Sequence, residues 1–575
     1  MRDSATRKCN CPFSIRGVYI SENQWKVQVI CGVHNHDLPN SLVGHPYAGR
    51  LTKEEKKFVA ELSISGVKPK DVLCGLKRRH EDNASTMKTI YNAKTKLRIH
   101  EMEGRTAMQQ LLKVLVAKHY VYWYRSDETT DEVLDLFWAN PSCILLAKCF
   151  PSVVIVDCTY KTNKYKMPLF AMVGITSTAK TFSIAHCFLY KEMEDNYQWA
   201  LSKLKSLFEP HDIPSVFITD RESAVIKAIR GVFPDARHML CMFHITKNVE
   251  QYYKPMFQTT SVWTKLFDDW QLVTKSTSEE EFFTRWEELK KDWSEFPNCI
   301  DYLTRTWFPH REAFVLAWTN RIKHRGNRTM NRAEGSYGKL KKHLDNGVGT
   351  FFTVFEGMHN MLDLQLNEVK AVFERSLGSV KEIHGGMLFK ELRGRLSHFA
   401  LDVIKKERDR SIDIGLDPSA CNHVVRTVYG LPCACELLQY NRENRPIPFD
   451  AVDEHWKRLT ILPNTEDKNQ LIHTVEFGLL KKLYDQSTED EKKVLLRKLK
   501  DLATPTTTSL REPKPVIPKG RPRGSKNKLS QKEKHEKSTK RDPSGFEYAK
   551  TVERIVLLQQ FQANSLKFQS EENKR

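Results

Sequence analysis

Apolar residues recur along this chain at two periods, and the switch between them sets its organisation. Between 51 and 145, stretches such as EEKKFVAELSISG and TAMQQLLKVLVAKHY carry them at helical spacing, three and four positions apart. From 151 the pattern changes: PSVVIVDCTY, LFAMVGITS and TFSIAHCFLY read as three strands in quick succession. Helix and strand then alternate through NYQWALSKLKSLF, SVFITD, ESAVIKAIRGVF, ARHMLCM and HITKNVEQYY. The predicted order is β-β-β-α-β-α-β-α. In a sheet of three antiparallel strands followed by a parallel one, the first and fourth strands lie side by side.

The same reading divides the chain into a multidomain α/β protein. A small Cys/His-rich unit spans 1–40 and a helical region 41–145. A mixed five-stranded sheet with helices begins at 146–254, is interrupted by an all-helical insertion at 255–325, and resumes with further helices at 326–400. A second Cys/His unit follows at 405–445 and a helical region at 446–502. Residues 503–545 are rich in Pro, Thr, Ser and Lys and too poor in large apolar residues to offset the entropy of ordering, so they read as a disordered basic tail before a C-terminal helix at 546–575. At 575 residues the chain exceeds what one core supports. It contains no internal repeat.

Charge narrows the partner. Lys and Arg number 91 against 71 Asp and Glu, a net charge of +20 that suits a polyanion, with nucleic acid ahead of a merely solubilising basic surface. No stretch reaches the ~20 apolar residues of a membrane helix, and the first 20 residues lack a signal peptide's pattern, so a soluble, intracellular protein without a membrane partner is expected. In a reducing compartment, the closely spaced groups among thirteen cysteines suggest metal sites before disulfides.

Two aspartates end strand patterns, Asp157 in VVIVDCTY and Asp220 in VFITDRES. Each has a structural explanation: Asp157 as a turn former, and Thr219-Asp220-Arg221-Glu222 as a capping box opening a helix. The strand order makes them neighbours, however, and adjacent carboxylates repel unless a cation lies between them; hard oxygen ligands suit Mg²⁺ or Mn²⁺. A third acid is available in NRTMNRAEGSYGKLKKHL, where Glu334 begins a helix and pairs with Asn331 in another capping pattern.

DCTYKTNKYKMPLF, TDRESAVIKAI, FPDARHMLCMFHITKNV and NRAEGSY together resemble the transposase domain of Mutator-like elements (MULEs). The resemblance covers most of residues 60–440. It implies an RNase H-like fold and an Asp-Asp-Glu triad at Asp157, Asp220 and Glu334, holding Mg²⁺ or Mn²⁺ for DNA strand cleavage and transfer. The family's Cys-x-x-His after the second aspartate falls on Cys241 and His244, which belong near the metal region or the DNA.

Cys421-x-His423, nine residues, then Cys433-x-Cys435 place four zinc donors within fifteen residues. This resembles the SWIM zinc finger that follows the transposase domain, with His and Cys exchanged at the second and fourth positions. Near the N-terminus, Cys9, Cys11, His34 and His36 resemble the WRKY-like finger of the far-red-impaired-response family, plant regulators derived from these transposases. That family's first cysteine lies further upstream; either Cys9 substitutes for it or the finger is truncated.

In PKGRPRGSKNK, Arg521-Pro522-Arg523 resembles an AT hook for a narrow A·T-rich minor groove, with Lys519 and Lys526 placed to meet phosphates. A plain basic linker or a nuclear-import signal is the alternative. The expectation is a nuclear DNA transposase that binds double-stranded DNA, A·T-rich or in terminal inverted repeats, with self-association compatible with that role. Its rival is a domesticated, zinc-binding transcriptional regulator that does not cut.

Overall fold

The computed structural model describes residues 10–21, 24–37, 45, 47–254, 256–257, 260–344, 347, 349–414, 421–461, 484–485 and 489–515. Cys9, the AT-hook residues Lys519, Arg521, Pro522, Arg523 and Lys526, and the helix expected at 546–575 lie outside the described residues.

Nine strands are present among them: β1 Ser14–Ser21, β2 Gln24–Cys31, β3 Val121–Ser126, β4 Val133–Ala139, β5 Val153–Thr159, β6 Leu169–Ile175, β7 Thr181–Phe188, β8 Val216–Thr219 and β9 Arg237–Leu240. β1 and β2 form an antiparallel hairpin of their own. The other seven build one mixed sheet in the order β3-β4-β7-β6-β5-β8-β9. β5 pairs antiparallel with β6 and parallel with β8, so the first and fourth strands of the predicted series do lie side by side.

The sheet has seven strands where the sequence pattern gives five. β3 and β4 fall inside the region read as helical, because the apolar run of the helix Ala107–Ala117 passes almost unbroken into VYWY. The break is conformational: His119 adopts a left-handed backbone at φ 56°. The β3–β4 turn is then held by the Asp127 carboxylate, which accepts from the amides of Thr129 and Thr130 at 3.0 and 2.8 Å.

Alternation along β5 feeds two cores. Val154 and Val156 enter the large core with Ala200, Leu201, Val225 and Ile229 from the helices Glu194–Lys205 and Ser223–Val232. Val153 and Ile155 point the other way, into a smaller core with Ile218, Met239, Met330 and Ala333. Full burial of each such side chain contributes roughly 1.5–3 kcal/mol. This second core sits directly beneath the acidic residues described below.

Between β9 and the helix Asn331–His343, the described residues are largely helical and hold no strand; Thr260–Thr274, Glu279–Asp292 and Pro297–Thr306 bury Trp270, Phe282, Trp286 and Leu303. The long helix Phe351–Gly378 packs Phe351 on Phe188 at 4.4 Å between ring centres.

The stretch from 503 to 515 does not behave as the disordered tail expected there. Leu510 is buried, the amide of Val133 donates to the Arg511 carbonyl at 3.0 Å, and the Glu512 carboxylate accepts from the amide of Phe351 at 3.0 Å. The Gln109 side-chain amide also donates to the Thr508 carbonyl at 3.2 Å, so several specific contacts dock a segment whose average composition is polar.

Candidate active site

Backbone register brings the two aspartates together. Val153 lies opposite Val216 and Ile155 opposite Ile218. The offset of 63 residues carried two positions further places Asp157 across from Asp220, one residue past the end of β8. Both acids continue the faces of their strands that meet Met330 and Ala333, so they stand on the side of the sheet from which the third acid arrives.

Glu334 lies in the first turn of the helix Asn331–His343, whose Ala333, Tyr337 and Leu340 are buried. The phenol of Tyr337, one turn beyond Glu334, donates to the backbone carbonyl of Asp157. The start of the helix is tied down independently. Arg332 donates to the carbonyl of Ala179 at 2.7 Å and to Asn327 Oδ1 at 2.6 Å, and the amide of Met330 donates to Cys241 Sγ at 3.1 Å.

Neither capping pattern read from the sequence forms. The helix Ser223–Val232 begins after Glu222 without a side-chain cap, and Asn331–His343 begins after Met330 without one. Thr219 Oγ1 instead lies 2.5 Å from the Asp220 carbonyl and 2.8 Å from His238 Nε2 on neighbouring β9. Glu334 is thus not engaged as a cap of its helix.

Burial and mutual repulsion shape the electrostatics. Burial, and then the charge of Asp220, push the Asp157 carboxyl up to about 8; Glu334 and Glu192 add to this, while the Cys158 amide, donating to Asp157 Oδ1 at 2.9 Å, opposes it. Asp220 is raised by burial and by Glu192, against the Glu222 amide at 3.2 Å and His244. His244 Nε2 lies 3.5 Å from Glu334 Oε1.

Cys241 and His244 thus part in role: the thiol is buried beneath the site and accepts from Met330, while the imidazole faces the third acid. Glu192, on the loop after β7, was not picked out from the sequence. Its carboxylate accepts from the Tyr160 hydroxyl, and its charge acts on both aspartates. Its only sequence signal is its place just past a strand end.

Among the described residues, the groups of three or more donors lying within 4.8 Å of one another are two Cys/His clusters. Asp157, Asp220 and Glu334 do not all lie that close, but the charges of Asp220 and Glu334 both act on Asp157. With Glu192 they form an acidic site beside His244, a set of hard oxygen donors that fits a divalent cation.

Cys421, His423, Cys433 and Cys435 form one of the close clusters. His423 Nδ1 is 3.4 Å from Cys433 Sγ and 3.7 Å from Cys435 Sγ, and the two thiols of Cys433 and Cys435 are 3.3 Å apart. A tetrahedral zinc with bonds of ~2.3 Å to sulfur sets its ligands ~3.7 Å apart, so the four residues fit it. Asn422 and His423 take left-handed backbone conformations that swing the imidazole back towards the thiols. Glu436 accepts from the Cys433 amide at 2.8 Å while its other oxygen holds Arg426 at 2.6 Å, bracing the cluster from outside.

Cys11, His34 and His36 form the other cluster. Cys11 precedes β1 and the two histidines follow β2, so closing the hairpin gathers them; Cys11 Sγ lies 3.4 Å from His34 Nδ1. The hairpin exposes Trp25, Val27 and Val29 and has little core of its own, the situation in which a metal can supply the missing stability.

Residues 153–248 match the MULE transposase domain, a span that includes Asp157, Asp220, Cys241 and His244. The chain is 24% identical over 258 residues to Protein FAR1-RELATED SEQUENCE 5 of Arabidopsis thaliana, covering 44% of this chain and 32% of that protein. It is 20% identical over 356 residues to Protein FAR-RED IMPAIRED RESPONSE 1 of the same plant, covering 60% and 42%. A stretch of the PKS-NRPS hybrid synthetase cheA of Chaetomium globosum is 24% identical over 521 residues, which is 81% of this chain and 11% of that protein. The chain therefore spans less than half the length of each of these relatives. By these matches the chain carries a MULE transposase domain and is homologous to the FAR1-related proteins.

Proposed function

We propose that the chain is a DNA transposase with an RNase H-like catalytic domain, which cleaves and transfers DNA strands with the help of a divalent metal. The observation that carries the reading is the convergence of three acids from three elements. Parallel register aligns Asp157 with Asp220, and the Tyr337 tether brings the helix bearing Glu334 over the same face.

Asp157 and Asp220 would hold Mg²⁺ or Mn²⁺ and Glu334 would complete the site. Bound there, the metal would supply Lewis-acid stabilisation of the phosphodiester and activation of a water or 3′-hydroxyl. The chain's own part is positional and protonic. Asp157 must lose its proton to act as a ligand, and its elevated pKa makes that loss conditional on pH. His244 orients Glu334 from the start of its own helix, Met242–Tyr253. Zinc at Cys421, His423, Cys433 and Cys435, and at Cys11, His34 and His36, would be structural. The net charge of +20 and the nuclear, DNA-binding expectation fit a duplex substrate.

A non-cutting, transposase-derived regulator is the second reading, favoured by similarity to FAR-RED IMPAIRED RESPONSE 1. One experiment separates the two. On labelled duplex carrying the inverted repeats flanking its gene, the wild type should bind and nick with Mg²⁺ or Mn²⁺. Asp220→Asn should bind equally and not nick. Binding without nicking in the wild type, with either metal, would leave the regulator.

A further inference from the structure

Residues 51–102 form a three-helix unit with its own core. The helices Lys53–Ile64, Pro69–Arg79 and Met87–Met102 bury Leu51, Val59, Val72, Leu76 and Ile90 against one another. The third helix, 16 residues and so ~24 Å long, is two-faced. Ile90 is buried on its inner side, and Lys94, Leu97, Arg98 and Glu101 line a cleft of about 650 Å³ shared with Glu356 and His359 of the helix Phe351–Gly378.

The opposite side of that helix carries Lys88, Asn92, Thr95 and Ile99 at i, i+4, i+7 and i+11, flanked by Tyr91 and Lys96, and all six are exposed. Tyr91 and Ile99 expose 56% and 66% of their surface beside these polar groups. Charge points to the occupant. From Lys68 to His100 there are nine Lys and Arg against three Asp and Glu, and exposed Lys77, Arg78 and Arg79 close the second helix.

We infer that the helix Met87–Met102 is a reading helix that enters the major groove of duplex DNA. A lone helix of this diameter fits that groove, and the third helix presents an exposed outer stripe along its length to do so. Asn92 is suited to an adenine edge, Ile99 and the Tyr91 ring to thymine methyls, and Lys88 and Lys96 to guanine or the flanking phosphates. The surface is separate from the acidic site and from both Cys/His clusters. It gives the chain a means of choosing sequence where the acids only cut. The inference rests on the proposed DNA-binding function.

The test uses the full chain and a mixed-sequence 30-bp duplex, read by fluorescence anisotropy at two salt concentrations, with circular dichroism confirming that each variant folds. Lys88→Glu with Lys96→Glu should weaken binding about ten-fold or more and lower the salt slope by about two. Lys290→Glu with Lys291→Glu, the same charge change on the helix Glu279–Asp292, should stay within about two-fold. An equal loss in both would assign the effect to net charge and overturn the inference. A folded Lys88/Lys96 variant that binds like the wild type would overturn it while leaving the proposed function standing, whereas a wild type that binds no duplex would remove both. Groove choice is read from the same duplex with glucosylated hydroxymethylcytosine, which fills the major groove. Asn92→Ala with Thr95→Ala should lose less affinity on this blocked duplex than the wild type does, and an equal loss would refute major-groove reading by this stripe.

Discussion

The phenol of Tyr337 donates its proton to the backbone carbonyl of Asp157, linking the helix that carries the third acid to the strand that carries the first. The two residues are 180 positions apart, and the bond is half-buried, with the Tyr337 ring itself buried. Tyr337→Phe keeps the ring and removes only this tether. It should lower stability by about 1–2 kcal/mol, the scale for a buried acceptor losing its partner. Metal-dependent nicking should fall at least about ten-fold through misplacement of Glu334, with duplex affinity unchanged. Parallel nicking and binding assays check this; unchanged nicking in a destabilised variant would show that the tether is structural alone.

Glu192 offers a separate handle on the same acids. Its charge raises both Asp157 and Asp220, so Glu192→Gln should let both ionise at lower pH. The pH at which metal-dependent nicking reaches half its plateau should move down. A pH–rate profile of the two proteins reads the shift directly. A move towards higher pH would mean that Glu192 serves as a ligand whose loss weakens metal binding.

Zinc analysis of the intact chain should separate the two Cys/His clusters. Cys433→Ser should remove about one zinc per chain and destabilise the neighbouring core of Leu392, Leu437 and Trp456 by several kcal/mol, because metal and packing are coupled there. His34→Ala should release zinc from the hairpin and leave that core intact. Metal content by emission spectrometry, with limited proteolysis, checks both. Full zinc occupancy in Cys433→Ser would exclude the four-ligand assignment.

How much of this was legible in the sequence follows from the range of each interaction. The adjacency of β5 and β8 was readable because strand order alone dictates it, and the Cys/His ligands at 421–435 because they are close in the chain. The hairpin of β3 and β4 was not, since nothing in the apolar run through Val121 marks the change of period; His119's backbone does. The expected cap at Thr219 failed because its hydroxyl is engaged with His238, a partner supplied by strand pairing. Glu192 and the Cys241–Met330 bond depend on approaches between distant segments, which no local pattern encodes.

The last prediction turns on the sign of one proton. An exposed aspartate titrates near ~3.9, whereas burial and the charge of Asp220 hold Asp157 at about 8 in the folded, metal-free chain. Between those values the folded state keeps a proton that the unfolded state has released. Stability from this group is therefore full at the acid end and falls as pH rises towards 8. Asp157→Asn cannot ionise and escapes the loss. In chelator, the melting temperature of the variant relative to the wild type should rise steadily from pH 5 to pH 8, by the equivalent of roughly 3–4 kcal/mol. Mn²⁺ should act in the opposite direction, stabilising the wild type most at pH 8, where Asp157 yields its proton most readily, and stabilising the variant little. Scanning fluorimetry across this range, with and without Mn²⁺, measures both effects. Parallel pH slopes for the two proteins in chelator would show that Asp157 is ionised throughout, and the pH control ascribed to it would then be wrong.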